Sequence, residues 1–313
     1  MVDSATPKTA EPCVGVAFSG GADSTALLWA TWRQAREAGL RVVALHVHHG
    51  LMAEADGWLA HAQAVCRRLD VPLYSRCLQG SPAPGDSIEA WARHHRYEAL
   101  TELARSAGAE LVLLAQHAED QAESVLLQAL RGGGPAGLAA MPAHWQTGGL
   151  SWARPWLTRP RDAVRAVLEA SQLPWVEDPS NADPRFARSR LRTHVMPVLQ
   201  SAFPQAVTVL GDVARHAAQA RLLADEIAAE DLPRCLDGHG RLLFRAWSTL
   251  PPARRHNVLR AWLASVLSHG VPVALLERLA KEWHGQGARW QAPGGWICAR
   301  KGGLSAELSS ATK

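Results

Sequence analysis

The stretch "AFSGGADSTALL" (17–28) runs from an apolar, strand-like segment through two glycines into a helical pattern. Gly20 and Gly21 permit a positive φ and a close approach of the backbone to a ligand. The free N–H groups and the dipole of a first helical turn attract anions. We therefore expect a phosphate-binding turn. The alternative is a tight turn in which a Ser or Asp side chain caps the helix.

Asp23 distinguishes this turn from a plain anion site. A carboxylate repels phosphate unless a divalent cation lies between them, so we expect Asp23 to bind Mg²⁺. The segment lacks the Gly-Lys-Ser/Thr ending of a Walker A loop, which disfavours transfer of a γ-phosphate. The residues of this segment predicted to bind the nucleotide are Ser19, Gly20, Gly21, Ala22, Asp23 and Ser24.

Short apolar runs alternate with amphipathic ones on both sides of this turn. The pattern predicts strands at 13–18, 41–47, 72–76 and 110–115 and helices at 24–38, 55–69, 87–107 and 119–130. Such alternation is typical of a doubly wound, parallel α/β sheet of the Rossmann-like kind. Ligands bind there at the carboxyl ends of the strands, where the segments 19–24, 46–52 and 116–123 would lie.

The pattern changes after a glycine-rich turn at 131–142, and the rest of the chain is mostly helical. Helices are predicted at 161–173, 187–200, 204–230, 251–269 and 272–284, before a hairpin at 288–300. We expect a catalytic domain over 1–203 and a small, mostly helical α+β domain over 204–313.

Composition narrows the class of protein. Residues 204–313 hold 14 basic and 9 acidic side chains, a surplus that suits a polyanionic partner. The five cysteines are scattered without a C-x-x-C pair, which argues against disulfides, zinc and iron–sulfur clusters.

No apolar run is long enough for a membrane span and the start does not resemble a signal peptide, so we expect a cytoplasmic protein. The oligomeric state stays open, with a homodimer as one alternative.

Histidines follow the second predicted strand in "HVHHGLMAEAD" (46–56). Histidine at this edge donates to phosphate or carries a proton near neutral pH. We expect His46 to bind the nucleotide and His49 to be a candidate catalytic group. A solvent-exposed histidine-rich loop is the alternative, and zinc is disfavoured because no cysteine or carboxylate stands at ligand spacing.

A second candidate group follows the fourth strand in "AQHAEDQAESVLLQALRGGG" (115–134). The three-residue spacing of His117, Asp120 and Glu123 places the two carboxylates on neighbouring positions of one helical face. They could bind an ammonium group or Mg²⁺. The alternative is an acidic first turn that complements the helix dipole.

Four arginines lie within eight residues of the segment 154–199, with no acid among them. A solvated helix face normally mixes charges, so this cluster favours binding of nucleic-acid or nucleotide phosphate. Its members are Arg185, Arg188, Arg190 and Arg192.

The string "SGGADS" resembles the PP-loop of ATP pyrophosphatases, which adenylate a substrate and release diphosphate. Together with "HVHHGL", "ARHHRYEAL", "HAEDQAESVLLQALRGGG" and "LPWVEDPSNADPRFARSRLR", it resembles the tRNA(Ile)-lysidine synthase family over about residues 13–200. Beyond residue 204 the likeness is weak. Met52 stands where the family usually has arginine, Glu119 replaces an aspartate and Ser189 an asparagine.

The resemblance implies a two-step reaction. ATP adenylates the wobble cytidine of a tRNA(Ile) with a CAU anticodon, and free L-lysine then displaces AMP to give lysidine. Asp23 would bind Mg²⁺, and Asp120 and Glu123 would attract the lysine ammonium group or bind metal. Any of Asp120, Glu123, His49 and His117 could take the proton from lysine. The alternatives are a tRNA cytidine thiolase, a small-metabolite adenylating synthetase and an RNA-binding module without activity.

Overall fold

The computed structural model describes residues 11–48, 55–78, 80, 88–177, 183–267, 270–285 and 287–308. The described residues form two compact units. The first falls within Met1–Leu127 and Ala140–Ala214, and the second within Gln128–Ala139 and Arg215–Lys313.

The first unit is built on a six-stranded sheet in the order β3-β2-β1-β4-β6-β5. Its parallel strands at the predicted places are β1 (Cys13–Ala17), β2 (Arg41–His48), β3 (Leu73–Cys77) and β4 (Leu111–Leu113). Alternate residues of β2 are buried on opposite faces, with Val42 and Ala44 on one side and Val43 and Leu45 on the other. Burial on both faces explains the continuous apolar run of this strand. The predicted doubly wound fold is confirmed.

Helices cover both faces of this sheet. They are α1 (Ala22–Ala38), α2 (Ala55–Leu69), α3 (Ile88–Ala107), α4 (Ala118–Leu130), which ends in the second unit, and α6 (Arg161–Ser171). Side chains of α1 and α2, such as Leu28 and Val65, fill one face, and Leu100 and Ala104 of α3 fill the other. The strand-to-helix loops therefore meet at one edge of the sheet, as expected for this fold.

A hairpin at the edge of the sheet was not among the predicted elements. The strands β5 (His144–Thr147) and β6 (Leu150–Ala153) pair antiparallel, and β6 continues the sheet parallel to β4. Gly148 and Gly149 both have positive φ and form the two-residue turn. The Gly-Gly pair between two short strands was the signal for this turn in the sequence.

The helix predicted at 187–200 is interrupted. It consists of α7 (Ala187–Arg190), a π-helical turn at Leu191–Val195 and α8 (Met196–Ala202). A π-helical turn shifts the side chains that follow relative to a regular α-helix, and such turns are frequent at functional sites.

The second unit contains a four-stranded antiparallel sheet rather than a lone hairpin, in the order β7-β10-β9-β8. Its strands are β7 (Leu242–Leu243), β8 (Arg289–Ala292), β9 (Gly295–Arg300) and β10 (Gly303–Leu308). Its helices are α5 (Pro135–Leu138), the larger part of α9 (Ala206–Cys235), α10 (Phe244–Ser248), α11 (Pro252–Val266) and α12 (Val273–Glu282). Four buried tryptophans dominate its core, namely Trp247, Trp262, Trp283 and Trp290.

Within the described ranges, no helix combines the length and the apolar character that crossing a bilayer requires.

Candidate active site

The glycine turn between β1 and α1 is closed by its own side chains. Ser24 Oγ donates to Gly21 O (3.0 Å) and lies 3.0 Å from Ser19 Oγ, which accepts the Gly21 N–H. Gly20 has a φ of 86°. Gly21 is the N-cap of α1, and no side chain caps that helix. The alternative of a turn capped by Ser or Asp therefore does not describe this structure.

The segment that follows α6 packs on this turn. Val176 N–H donates to Gly20 O (3.0 Å), which makes a bridge between Gly21 and Val176. The His61 ring lies beside Gly20, so that a Cβ built on Gly20 would be 3.3 Å from His61 Cδ2. Burial lowers the pKa of His61, against a backbone hydrogen bond with Pro174 that raises it. Neither contact was predicted, because both depend on pairing between distant segments.

His46 lies beneath the turn rather than in an open position. Its Nδ1 is 2.8 Å from Phe18 O, the carbonyl that immediately precedes Ser19. Burial lowers the pKa of His46, although the bond with Phe18 raises it. The side chain is buried and fixes the end of β1. Its predicted contact with a nucleotide stays a prediction.

His117 contacts carboxylates from both predicted segments, 19–24 and 116–123. Its Nε2 lies 3.6 Å from Asp23 Oδ2 and 3.4 Å from Asp120 Oδ2, and its Nδ1 lies 2.9 Å from Glu119 Oε2. Burial alone lowers the pKa of His117, but its contacts with Asp23 and Glu119 and the charge of Asp120 outweigh it and raise the pKa to about 9. His117 is therefore an imidazolium at neutral pH.

The carboxylates around His117 are stabilised in their charged form. Burial raises the pKa of Asp23, but His117 and the charges of Arg161 and Arg165 lower it below its usual value. Burial likewise raises the pKa of Glu119, and His117 and the Arg161 N–H group, which donates to both carboxylate oxygens, lower it overall. Sequence reasoning treated Glu119 only as a departure from the family pattern and missed this role.

The second pair of carboxylates is bound by arginines. Arg192 donates from Nε to Glu123 Oε1 (2.7 Å) and from Nη2 to Asp120 Oδ1 (3.0 Å). Arg188 donates from Nε to Glu123 Oε2 (3.0 Å) and from Nη2 to Ser124 Oγ (2.8 Å). The Glu123 side chain is only 2 % exposed. In the folded chain α4 therefore supplies the acids that the arginine cluster lacks in sequence. Asp120 and Glu123 balance the charges of Arg188 and Arg192.

The other two arginines of the cluster lie at the surface. Arg185 pairs with Asp183, with Nη2 2.6 Å from Oδ2, and its side chain is 85 % exposed. Arg190 donates to the carbonyl oxygens of Pro184 and Arg185. The four arginines thus form two groups, and the predicted binding of phosphate by each of them stays a prediction.

His49 and Met52 lie outside the described residues. No group of three or more His, Cys, Asp or Glu side chains suited to a metal ion occurs in the described part of the chain. The site therefore offers Asp23 as a single carboxylate at the glycine turn, with a cation, His117, beside it.

Two models of known protein families match this chain. Residues 2–199 match the family model described as a PP-loop domain, and residues 242–305 match the model of a TilS substrate binding domain.

Two curated relatives carry the same name. The tRNA(Ile)-lysidine synthase of Pseudomonas aeruginosa is 46 % identical over 263 residues, covering 80 % of this chain and 58 % of that protein. The tRNA(Ile)-lysidine synthase of Polaromonas naphthalenivorans is 42 % identical over 277 residues, covering 88 % of this chain and 82 % of that protein. The chain thus spans a little over half of the first relative and most of the second.

One solved structure shares the fold. The U34-tRNA thiolase NcsA from Methanococcus maripaludis, with its [4Fe-4S] cluster, superposes with a TM-score of 0.57 at 14 % identity, covering 67 % of this chain and 71 % of that one. At this identity the likeness extends to the fold alone. The two family models and the curated relatives go further, and by them the chain belongs to the tRNA(Ile)-lysidine synthase family.

Proposed function

We propose that this protein ligates free L-lysine to C2 of the wobble cytidine of a tRNA(Ile) with a CAU anticodon, with conversion of ATP to AMP and diphosphate. The product is lysidine, which changes the codon read from AUG to AUA. The observation that carries the proposal is the convergence of Asp23 and Asp120 on His117 beside an uncapped glycine turn, in a chain that matches both domains of the family.

In the first step the cytidine O2 attacks the α-phosphorus of ATP. The bond to the α–β bridging oxygen breaks, and the electron pair leaves with diphosphate. The glycine turn is suited to the phosphates because glycine permits a close approach of the backbone to a ligand and no side chain makes a capping hydrogen bond at the start of α1. His117, an imidazolium at neutral pH, adds a fixed positive charge near that position.

Asp23 fits a magnesium ion held jointly with the phosphates. Its side chain is 33 % exposed and its carboxylate is ionised. Magnesium is commonly bound by one or two carboxylates together with substrate phosphates, where it neutralises developing charge. A site with one carboxylate at the turn agrees with that mode.

In the second step the lysine amine attacks C2, displaces AMP and loses a proton. With a pKa near 10.4, about one amine in 2,500 is neutral at pH 7, so the site must promote deprotonation. His117 is already protonated at that pH, which favours a carboxylate as the proton acceptor. Asp120 is the better candidate, because its side chain is 14 % exposed whereas Glu123 is closed off by Arg188 and Arg192.

The second unit is proposed to bind tRNA. Its basic surplus suits a polyanion, and its sheet presents the partly exposed Trp296 with the Arg289 guanidinium 3.8 Å from the ring centroid. Aromatic rings and arginines together are typical of surfaces that stack on unpaired bases. We retain the proposed catalytic domain at 1–203, the proposed tRNA-binding domain at 204–313 and a cytoplasmic location.

Thiolation of cytidine is less well supported. The five cysteines are free, and Cys13, Cys66, Cys235 and Cys298 are buried in four different elements. Burial raises the pKa of Cys66 to about 12, which makes that thiol a poor nucleophile. That alternative normally needs paired cysteines or a cluster.

Mass spectrometry of tRNA nucleosides tests the proposal. The protein is incubated with ATP, isotope-labelled lysine and a tRNA(Ile) transcript with a CAU anticodon, and a transcript with a GAU anticodon is the control. We expect labelled lysidine in the first transcript only, with one AMP per lysidine. Asp23→Ala should abolish adenylation and keep tRNA binding. Equal AMP formation without tRNA would contradict the proposal.

A further inference from the structure

Two arginines at the start of α6 form no direct ion pair with any described residue. In the described part of the chain, the guanidinium groups of Arg161 and Arg165 make no hydrogen bond and no ion pair, and Arg161 Nε is buried without a partner. Both side chains are half-buried. Arginines in such a position normally pair with an anion, because a desolvated charge without a partner costs free energy.

The packing of α6 places these arginines beside the glycine turn. Val164 and Leu168 of α6 are buried against Ala22 and Ala26 of α1. Arg161 and Arg165 lie four residues apart, at the spacing that places two side chains on the same helical face, and Val164 immediately precedes Arg165. Ala22 is the residue between Gly21 and Asp23, so both arginines belong to the surroundings of the turn.

A second contact fixes the start of α6 to the same group. Arg161 N–H donates to both oxygens of Glu119 at 2.9 and 3.1 Å, and Glu119 contacts His117, which in turn contacts Asp23. The charges of Arg161 and Arg165 also help to hold the Asp23 carboxyl in its ionised form. The two arginines therefore act electrostatically on the turn although they are distant from it in sequence.

From these observations we propose that Arg161 and Arg165 bind the β- and γ-phosphates of ATP. The assignment rests on the proposed function, because it requires ATP to occupy the glycine turn. Two guanidinium groups one helical turn apart match two adjacent phosphate groups, each of which accepts paired N–H donors. Arg188 and Arg192 are less available for this role because Asp120 and Glu123 already bind them.

Calorimetric titration with magnesium-ATP and with AMP tests the assignment. AMP carries only the α-phosphate, so Arg165→Met and Arg161→Met should each weaken ATP binding by about tenfold or more and change AMP binding by less than about threefold. Methionine keeps an unbranched apolar stem. Arg67→Met, which removes an exposed arginine of α2, is the matched control and should leave both affinities unchanged.

Three outcomes would overturn the assignment: unchanged ATP binding, an equal loss for ATP and AMP, or weaker tRNA binding with ATP unaffected. The last would assign these arginines to tRNA phosphate. If Arg161→Met fails to fold, Arg165→Met decides, with Arg165→Lys expected to recover part of the ATP affinity. A wild-type protein that binds both nucleotides but makes no lysidine would contradict the proposed function, while the ratio of ATP to AMP affinities still decides this assignment.

Discussion

The His117 imidazole and the Asp23 carboxylate join two separate strand-to-helix loops, with 3.6 Å between Nε2 and Oδ2. His117 is 3 % exposed and Asp23 is 33 % exposed. The contact therefore links a buried cation to a carboxylate that reaches solvent. Asp23 can meet a ligand while its charge is already balanced in part by the protein.

This relationship predicts a pH dependence of stability. The folded pKa of His117, about 9, lies above the ordinary value of 6.5. Its stabilising contribution is therefore fully present below about pH 6.5 and is lost as the pH rises through about 9. Linkage gives about 3 kcal/mol for a shift of this size.

Urea unfolding of the wild type and of His117→Gln at pH 6, 7.5 and 9.5 measures this contribution. The difference in free energy of unfolding between the two proteins should be largest at pH 6 and should shrink by pH 9.5. His144→Gln, at an exposed position of β5, is the control and should follow the wild type. A difference that does not change with pH would contradict the electrostatic account.

Sequence patterns were sufficient to predict that the segments 19–24 and 116–123 lie at the same edge of the sheet. Strand–helix alternation predicted which loops meet, and the three-residue spacing placed Asp120 and Glu123 on neighbouring positions of one face of α4. These features depend on local periodicity, which is readable from a single chain. The contact between Asp23 and His117 follows from the same topology.

The partners of individual charges were not predictable in the same way. Arg188 and Arg192 appeared free of acids because their partner Glu123 lies far away in sequence. Arg161 was not among the predicted site residues, because its role depends on the packing of α6 on α1 and on its contact with Glu119. Tertiary packing decides which charged residues pair when they are distant in sequence, and sequence spacing alone does not predict those pairs.

The conformation of Gly20 predicts a cost for any side chain at this position. Gly20→Ala should destabilise the protein by about 2 kcal/mol, because φ is 86° and the new Cβ would be 3.3 Å from His61 Cδ2 and 3.4 Å from Val176 Cγ2. Gly39→Ala is a matched control, since Gly39 also has a positive φ but its Cβ would have no neighbour within 4 Å.

Thermal unfolding and ATP titration separate the two effects. Gly39→Ala should lower stability by about 1 kcal/mol and keep ATP affinity. Gly20→Ala should lower stability further and weaken ATP binding, because the turn must move away from His61 and Val176. Equal effects of the two substitutions would show that crowding at Gly20 has no consequence.

The buried Glu123 carboxylate predicts that its arginine partners are required for stability. Arg192→Met leaves this carboxylate with Arg188 as its remaining ion-pair partner and should cost about 3 kcal/mol. Arg192→Met/Glu123→Gln should recover much of that loss, since the double variant no longer buries an excess negative charge.

Urea unfolding of the two single variants and the double variant gives the coupling energy. Arg190→Met is the control and should cost less than about 1 kcal/mol, because Arg190 is exposed and its guanidinium group donates to backbone carbonyls. If Arg192→Met and Arg190→Met destabilise equally, the pairing with Glu123 does not stabilise the fold.

The proposed binding of tRNA by the second unit leads to a prediction about the exposed face of its sheet. Trp296 is 36 % exposed, and it lies across from Gln291 on the neighbouring strand β8. Stacking of a base on an aromatic ring contributes about 1–3 kcal/mol, so Trp296→Ala should weaken tRNA(Ile) binding by about tenfold or more. Gln291→Ala alters the same face without removing an aromatic ring and should have little effect.

Filter binding at fixed salt measures both affinities, and thermal unfolding checks that both variants are folded. Unchanged tRNA affinity in a folded Trp296→Ala variant would remove this face from the tRNA-binding surface. At constant ionic strength the phosphate contacts contribute equally in both proteins, so they would not compensate for the loss of a stacking ring.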